Sequence, residues 1–352
     1  MSLADLFRRI FGGRASVLQR QPEGATSVAC AEPAPAEAAE PVEDGLLDEL
    51  TEPGWWVPKG EPVLAPPSAA RSADPADPLR AALERVLADP DLSLPLLPHV
   101  AQRALVLLHD KEVDYHALAK TIGDDPAIAA EVLRVVNSSA YARLFKVSQL
   151  ETAFARLGCS TLRSILVAMT VKGIVIRTGG PVRTLGEEIW QRAIVSGVLV
   201  HELSRRYGLP DGEAFLVGLL HDIGNLALLR VLHDCQKQLG GTVSRALFDG
   251  LSEEWHERLG VRLAQAWRLP EPLPTLIGAH HARLARGDAL ANYRSLVQFA
   301  DVVCSMLGYG AYVSYDFFAL PCVQQLQMED NEATRCWLTS LPALIMDRAG
   351  VF

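Results

Sequence analysis

From residue 79 onward the chain is written in a single period. Apolar residues recur every three to four positions, in segments of about ten to eighteen residues, and Pro or Gly falls between the segments. The pattern predicts helices over 79–87, 98–109, 115–122, 150–157, 161–176, 187–207, 211–232, 236–240, 252–267 and 274–284. Asp125-Pro126 reads as an N-cap followed by proline at the first helical position, with Ile128, Val132, Val135 and Val136 forming one apolar stripe behind it. No run alternates with the period of two that a half-buried strand requires. No heptad persists, so a coiled coil is excluded. The fold class expected is all-α, a compact multi-helix bundle.

The residues before 79 cannot join that bundle on the same terms. Residues 21–78 hold twelve Asp and Glu against Lys59 and Arg71, together with eleven of the 22 prolines. Proline removes backbone donors and the acidic excess repels itself, so the stretch is expected to be a disordered acidic linker. Within it, Leu46, Leu47, Leu50, Trp55 and Trp56 form an apolar island, either a sticky patch or a peptide that docks on a partner or back on the domain. Residues 1–20 begin with Leu3, Leu6, Phe7, Ile10 and Phe11 at helical spacing beside Arg8, Arg9 and Arg14. A short amphipathic helix over residues 3–14 has a weak chance of touching a membrane surface or a partner's groove.

The net charge of −9 lies almost wholly in that linker. The remaining chain is near neutral and has no basic stripe, which argues against direct nucleic-acid binding. Cys30, Cys159, Cys235, Cys304, Cys322 and Cys336 show no paired spacing, so neither a disulfide framework nor a thiolate zinc site is indicated. Nothing approaches eighteen consecutive apolar residues, and the expected location is cytoplasmic.

Histidine and aspartate concentrate where the helical pattern is otherwise apolar. Gly218-Leu-Leu-His221-Asp222-Ile-Gly224 is the centre, and His256, the pair His280-His281 and Asp301 follow. Adjacent His221 and Asp222 on a helix would point about 100° apart and share one cation only at the edge of their common face. Imidazole nitrogen with carboxylate oxygen suits Zn, Mn or Fe.

These residues resemble the HDOD type of the HD superfamily of metal-dependent phosphohydrolases, the HD-related output domain of bacterial signalling proteins. The likeness runs in order through Leu94-Pro-Leu-Leu-Pro98, Asp124-Asp125-Pro126, Leu133-Arg-Val-Val-Asn137-Ser138-Ser-Ala-Tyr141, Ala153-Phe-Ala-Arg-Leu157-Gly158 and Trp190. It continues through the HD segment, His256-Glu-Arg-Leu-Gly260, Trp267-Arg-Leu-Pro270 and His280-His281, covering about residues 92–305. It implies an N-terminal helical half over 79–180, a hinge at Gly179-Gly180-Pro181 and an HD-like half over 181–310. Two closing helices over 311–352 would pack through Phe317, Phe318, Trp337 and Leu341. Asn137 would cap an ordered turn ending at Tyr141.

By the same resemblance His221, Asp222, His256, His280, His281 and Asp301 are the metal-ligand positions, and Asp222 is the catalytic residue if the site is active. The chain departs from the pattern at the first ligand, where Arg192 stands two residues after Trp190. A guanidinium cannot ligate a metal, and its charge is expected to pair with Asp222 or Asp301 where a cation would stand. His201 lies nine residues on, on the opposite helix face, and is rejected as a substitute. Asn225 follows the HDIG sequence where catalytic relatives often carry Lys, and no Gly-Tyr-Pro extension follows His281. The function these features imply is a regulatory signalling module that works through protein partners, with a degenerate pocket holding at most one divalent metal. The alternative is a metal-dependent phosphohydrolase acting on a nucleotide or cyclic dinucleotide.

Overall fold

The computed structural model describes residues 54–57, 97–108, 112–137, 146–177, 182–207, 213–239, 243–283, 290–309 and 313–349, with helical residues at 81, 84 and 85. The predicted segment 3–14, the hinge at 179–181, Tyr141 and most of 21–78 lie outside them. Among the described residues the regular structure is helical, with no β-strand.

The first group comprises α1 (His99–Leu107), α2 (Tyr115–Gly123), α3 (Pro126–Val136), α4 (Leu150–Leu157) and α5 (Cys159–Arg177). As the sequence predicts, the Asp125 carboxylate caps α3 by accepting from the Ala127 and Ile128 amides, and Asp114 caps α2 in the same way. Such caps supply donors' partners that the helix itself cannot, typically worth about 1 kcal/mol each. Asn137 does more than end α3. Its amide donates to the Leu133 and Val147 carbonyls and its oxygen accepts from Val147 N–H, all at 2.7 Å. Residues 137 and 147 are thereby clipped together.

The second group is arranged around α6 (Arg183–Arg206), a helix of 24 residues that is buried on nearly every side over 193–204. Against it pack α5, α7 (Ala214–Leu220), α8 (Gly224–Leu239), α11 (Ala291–Met306) and α13 (Glu332–Ala349). The remaining elements are α9 (Arg245–Ala266), the short α10 (Leu273–Ile277), a 3-10 turn at Phe317–Ala319 and α12 (Pro321–Gln325). The part-buried Arg163 of α5 joins the two groups, pairing with Glu213 ahead of α7 and donating to the Leu108 carbonyl at 3.0 Å. The stretch Ala214–Gln236, α7 and most of α8, has the length and composition of a membrane span, but most of it is buried inside the bundle.

Two expectations need correction, and one open alternative is decided. The segment 211–232 is not one helix: it breaks at His221–Ile223, and α8 begins at Gly224. At the start of α8 the chain passes so close to α9 that a Cβ on Gly224 would stand 1.8 Å from the His256 carbonyl oxygen. His280 and His281 lie in turns after α10, not on a long helix, because α10 stops at Ile277. Of the alternatives for the Trp55–Trp56 island, docking back on the domain is the one the structure shows. Both are buried, at 6% and 8% exposure, against the C-terminal helices, because two indoles bring more apolar area than the surrounding acidic sequence can keep in water.

Candidate functional site

The break at 221–223 turns two neighbouring side chains inward together. His221 and Asp222 leave the α7–α8 turn, and around them converge Arg192 from α6, His256 from α9, His280 from the turn after α10, and Asp301 from α11. The sequence-predicted residues therefore meet in one place. His201 is the predicted exclusion: it is buried on α6 and takes no part in this cluster.

Asp222 divides the site, one carboxylate oxygen to each side. Its Oδ2 faces Arg192 Nε at 3.6 Å and His221 Nε2 at 3.4 Å. Its Oδ1 faces His256 Nε2 at 3.6 Å and His280 Nε2 at 3.4 Å.

On the Oδ2 side the groups form a closed ionic set. The Arg192 guanidinium donates to Asp301 Oδ1 at 2.9 Å and to the Tyr309 carbonyl at 2.9 Å, with Ser305 Oγ at 3.4 Å. His221 presents Nδ1 to the Gly218 carbonyl at 2.7 Å and Nε2 to Asp301 Oδ1 at 3.0 Å. Both ring nitrogens face acceptors, so the ring is an imidazolium. Burial alone would depress its pKa, but the carboxylates of Asp301 and Asp222 outweigh burial and push it up to about 10. Burial likewise opposes ionisation of Asp301 and Asp222. The His221 charge prevails, aided by Arg192 at Asp301 and by His280 and His256 at Asp222, and holds both carboxyls well below the usual range. Two positive groups thus balance two negative ones without any metal.

The Oδ1 side is different in kind. His256 Nδ1 meets the Ser252 carbonyl at 2.5 Å, and His280 Nδ1 meets the Ile277 carbonyl at 2.9 Å. With Nδ1 of each ring held on a carbonyl, the two Nε2 atoms face each other at 3.2 Å. Two imidazole nitrogens at that distance have room for one proton or one cation between them. Such carbonyl anchoring of the far nitrogen is how metal-ligating histidines are usually held. The separations of 3.2, 3.4 and 3.6 Å among His256, His280 and Asp222 match the edge of about 3.4 Å implied by a tetrahedron with bonds of 2.0–2.1 Å. His281, whose side chain is more exposed, completes a set of four with Asp222, His256 and His280. This donor set fits one divalent cation. His221, His280 and Asp301 also lie within coordinating reach of one another. There, however, a dication about 4 Å from the guanidinium would meet a repulsion of about 8 kcal/mol at an effective dielectric near 20.

Several supporting residues escape sequence reasoning. Glu257 accepts from the His281 amide at 3.1 Å and lies 3.6 Å from His280 Nδ1. Gln298 donates to the His280 carbonyl at 2.7 Å. Gln298 stands one helical turn before Asp301, and that spacing was the signal available. Ser305 and the Tyr309 carbonyl, which hold Arg192, carry none. Asn225, at the position where catalytic relatives often have Lys, is buried and accepts from Ser252 Oγ at 2.6 Å, so it fastens α8 to α9. The cavity reaching Arg192 and Asp222, walled by Val171, Ile189, Leu219 and Leu226, measures about 30 Å³. That is room for a water or two, against the several hundred Å³ of an ordinary ligand pocket.

The sequence model of the HDOD domain family matches residues 94–283. A protein of Treponema pallidum (strain Nichols) without an assigned role is 23% identical over 229 residues, 63% of this chain and 44% of its own length, so the match spans less than half of that relative. Among solved structures, a protein of Shewanella amazonensis SB2B provisionally described as a metal-dependent phosphohydrolase superposes with a TM-score of 0.56 at 20% identity, over 76% of this chain and 98% of that one. A Marinobacter aquaeolei VT8 protein provisionally described as a signal transduction protein gives 0.55 at 21% identity, over 78% of this chain and 65% of that one. At such identities the likeness concerns the fold.

Proposed function

This chain belongs to the HDOD domain family, and we propose that it acts as a regulatory signalling module through contacts with other proteins, its HD pocket reduced to a salt-bridged core with at most one metal. The observation that carries the reading is Arg192. Its guanidinium occupies the position from which the resemblance expects a first metal ligand, and it is already paired with Asp301 and close to Asp222. A bacterial, cytoplasmic protein with signalling proteins as partners, and without direct contact to nucleic acid, completes the proposal.

A second reading rests on the other side of Asp222. A cation held by Asp222, His256, His280 and His281 would supply Lewis acidity and a water ionising near neutral pH, the chemistry of a metal-dependent phosphohydrolase. Against it, Arg192 cannot share a bridging role, Asn225 is committed to Ser252, and the cavity beside Arg192 and Asp222 holds only a water or two.

Metal analysis of the purified chain, followed by turnover assays with Mn, Fe or Mg against cyclic dinucleotides and (d)NTPs, separates the two. At most one equivalent of metal and no turnover above the Asp222→Ala background is the expected result. Robust hydrolysis that vanishes in Asp222→Ala would overturn the regulatory reading.

A further inference from the structure

Trp55 and Trp56 lie outside the HDOD match and far from the HD pocket in sequence, yet both are built into the fold. They occupy a four-residue turn closed by Val57 N–H donating to the Gly54 carbonyl at 2.7 Å. Gly54 has φ +114°, which a side chain would strain, and Pro53 and Pro58 flank the turn in sequence. The turn sets Trp55 edge-on to Phe317, 5.7 Å between centroids, and Trp56 edge-on to Trp55 at 5.8 Å. Phe317 in turn meets Phe299 of α11 edge-on, 5.7 Å between centroids.

The polar end of Trp55 identifies the site as more than an apolar patch. Its Nε1–H donates to the Leu338 carbonyl at 2.8 Å, a buried contact. In an unbroken helix that carbonyl accepts from the amide four residues on. Four residues on is Pro342, inside α13, and proline has no N–H. The helix therefore leaves one orphan acceptor in a dry aromatic setting, and the indole is the donor that fills it. An aromatic wall beside a single unpaired carbonyl selects a ring that is apolar over its body and donates at one edge, which is tryptophan.

We propose that this notch of α13, formed by Phe317 and the Leu338 carbonyl opposite Pro342, is a binding site for tryptophan-bearing linear peptides, occupied in this chain by its own residues 54–57. Trp55 itself is seated in the core, and its neighbours Gly54, Trp56 and Val57 reach the edge of an open cleft. Asp316, Phe318, Asp330 and Arg335 also line that cleft. Val57 itself remains 55% exposed. A four-residue contact of this size binds weakly in trans and persists in cis because the segment is covalently attached.

The test uses the full chain with Trp55→Ala and Trp56→Ala, which vacates the notch, and a fluorescein-labelled synthetic peptide of residues 46–60 read by anisotropy. Saturable binding on the order of micromolar is expected, with affinity for the unaltered chain at least about tenfold weaker because the attached segment competes. The same peptide carrying Trp55→Ala should not bind. Adding Pro342→Ala to the vacated chain should lower affinity about tenfold, since the new amide claims the Leu338 carbonyl. Absence of binding to a folded vacated chain, equal binding of the altered peptide, or indifference to Pro342→Ala would each overturn the proposal. Should the double variant fail to fold, the unaltered chain labelled with 5-fluorotryptophan decides it. The Trp55 fluorine signal must be shielded from solvent and become exposed in Pro342→Ala; an unchanged signal would refute the assignment.

Discussion

Arg192→Met removes one charge from the HD pocket and keeps most of the side-chain volume, so its consequences can be worked from contacts. Lost are the 2.9 Å bond to Asp301 Oδ1, the 2.9 Å bond to the Tyr309 carbonyl and the approach to Asp222 at 3.6 Å. Removing one partner of a buried ion pair costs about 3–5 kcal/mol. Arg192 keeps 22% of its side chain in solvent, and His221 still faces both carboxylates, which brings the expectation down to about 2–3 kcal/mol. For a domain of this size that is a fall in melting temperature of about 5–10 °C. Scanning fluorimetry in chelator would measure it. The companion variant Arg192→His should do the opposite toward metal. With the guanidinium gone, the repulsion of about 8 kcal/mol against a dication disappears, and a nitrogen ligand is offered in its place. Metal content should rise from at most one equivalent toward two. Saturating Mn or Zn should recover about 2.7 kcal/mol of stability at a hundredfold excess over the dissociation constant. If Arg192→Met melts within a degree of the unaltered chain, and Arg192→His takes up no further metal, the guanidinium is not standing in for a cation.

Asn137→Ala should cost about 2 kcal/mol in urea unfolding, more than a lost cap alone, because the Val147 amide and carbonyl both lose their partner; a loss below about 0.5 kcal/mol would mean that residues 137 and 147 are held together by other contacts. Gly224→Ala places a Cβ 1.8 Å from the His256 carbonyl and should destabilise by about 3 kcal/mol or more, together with loss of bound metal; ordinary stability would show that α8 can shift away from α9. The metal-free chain should be most stable between about pH 4 and 6.5. The His221 pKa is raised, to about 10, so its contribution is complete below its ordinary value near 6.5 and is lost as pH rises through 10. Those of Asp301 and Asp222 are depressed, so their contribution is complete above the ordinary carboxylate range near 3.9 and is lost as pH falls below it. Denaturation series from pH 3 to 10 would test both limbs, and a flat profile above pH 6.5 would mean that His221 is neutral.

What could be read in the sequence was whatever local chemistry sets. The period of the apolar residues determined the helical class, and Asp125-Pro126 marked the start of α3 because a cap and a proline act within one turn. The convergence of His221, Asp222, His256, His280 and Asp301 was legible through their ordered motifs. Their mutual orientation was not. The break at His221–Ile223 is accompanied by the close approach of Gly224 to the His256 carbonyl, a long-range packing contact that no local propensity records. Trp55 shows a choice that the sequence left open. Its acidic, proline-rich surroundings argued for a solvated linker, while the feature that seats it, an orphan carbonyl opposite Pro342, lies 283 residues away.

The division of Asp222 between its two oxygens gives the pocket a physical role even without catalysis. A two-metal hydrolytic centre needs its bridging carboxylate to meet cations on both sides and to leave a position open for water. Here Oδ2 is turned toward Arg192 and His221, and the guanidinium fastens α6 to α11 through Asp301 and to the chain beyond α11 through Tyr309. On the Oδ1 side two imidazole Nε2 atoms face one another across a gap of 3.2 Å. Filling that gap with a cation would draw α9, the turn after α10 and the α7–α8 turn onto one point, and Asp222 would transmit the charge change to Arg192 and α11. In such a chain metal occupancy would be a structural input with a route to the C-terminal helices, since α11 also packs against α12 and Phe299 of α11 meets Phe317 edge-on. Regulation would then follow from whether the gap is bridged. Adding Zn or Mn to the unaltered chain should slow amide exchange in α9, α11 and α12 together, and slowing confined to the ligand-bearing turns would show that the pocket does not communicate with the C-terminal helices.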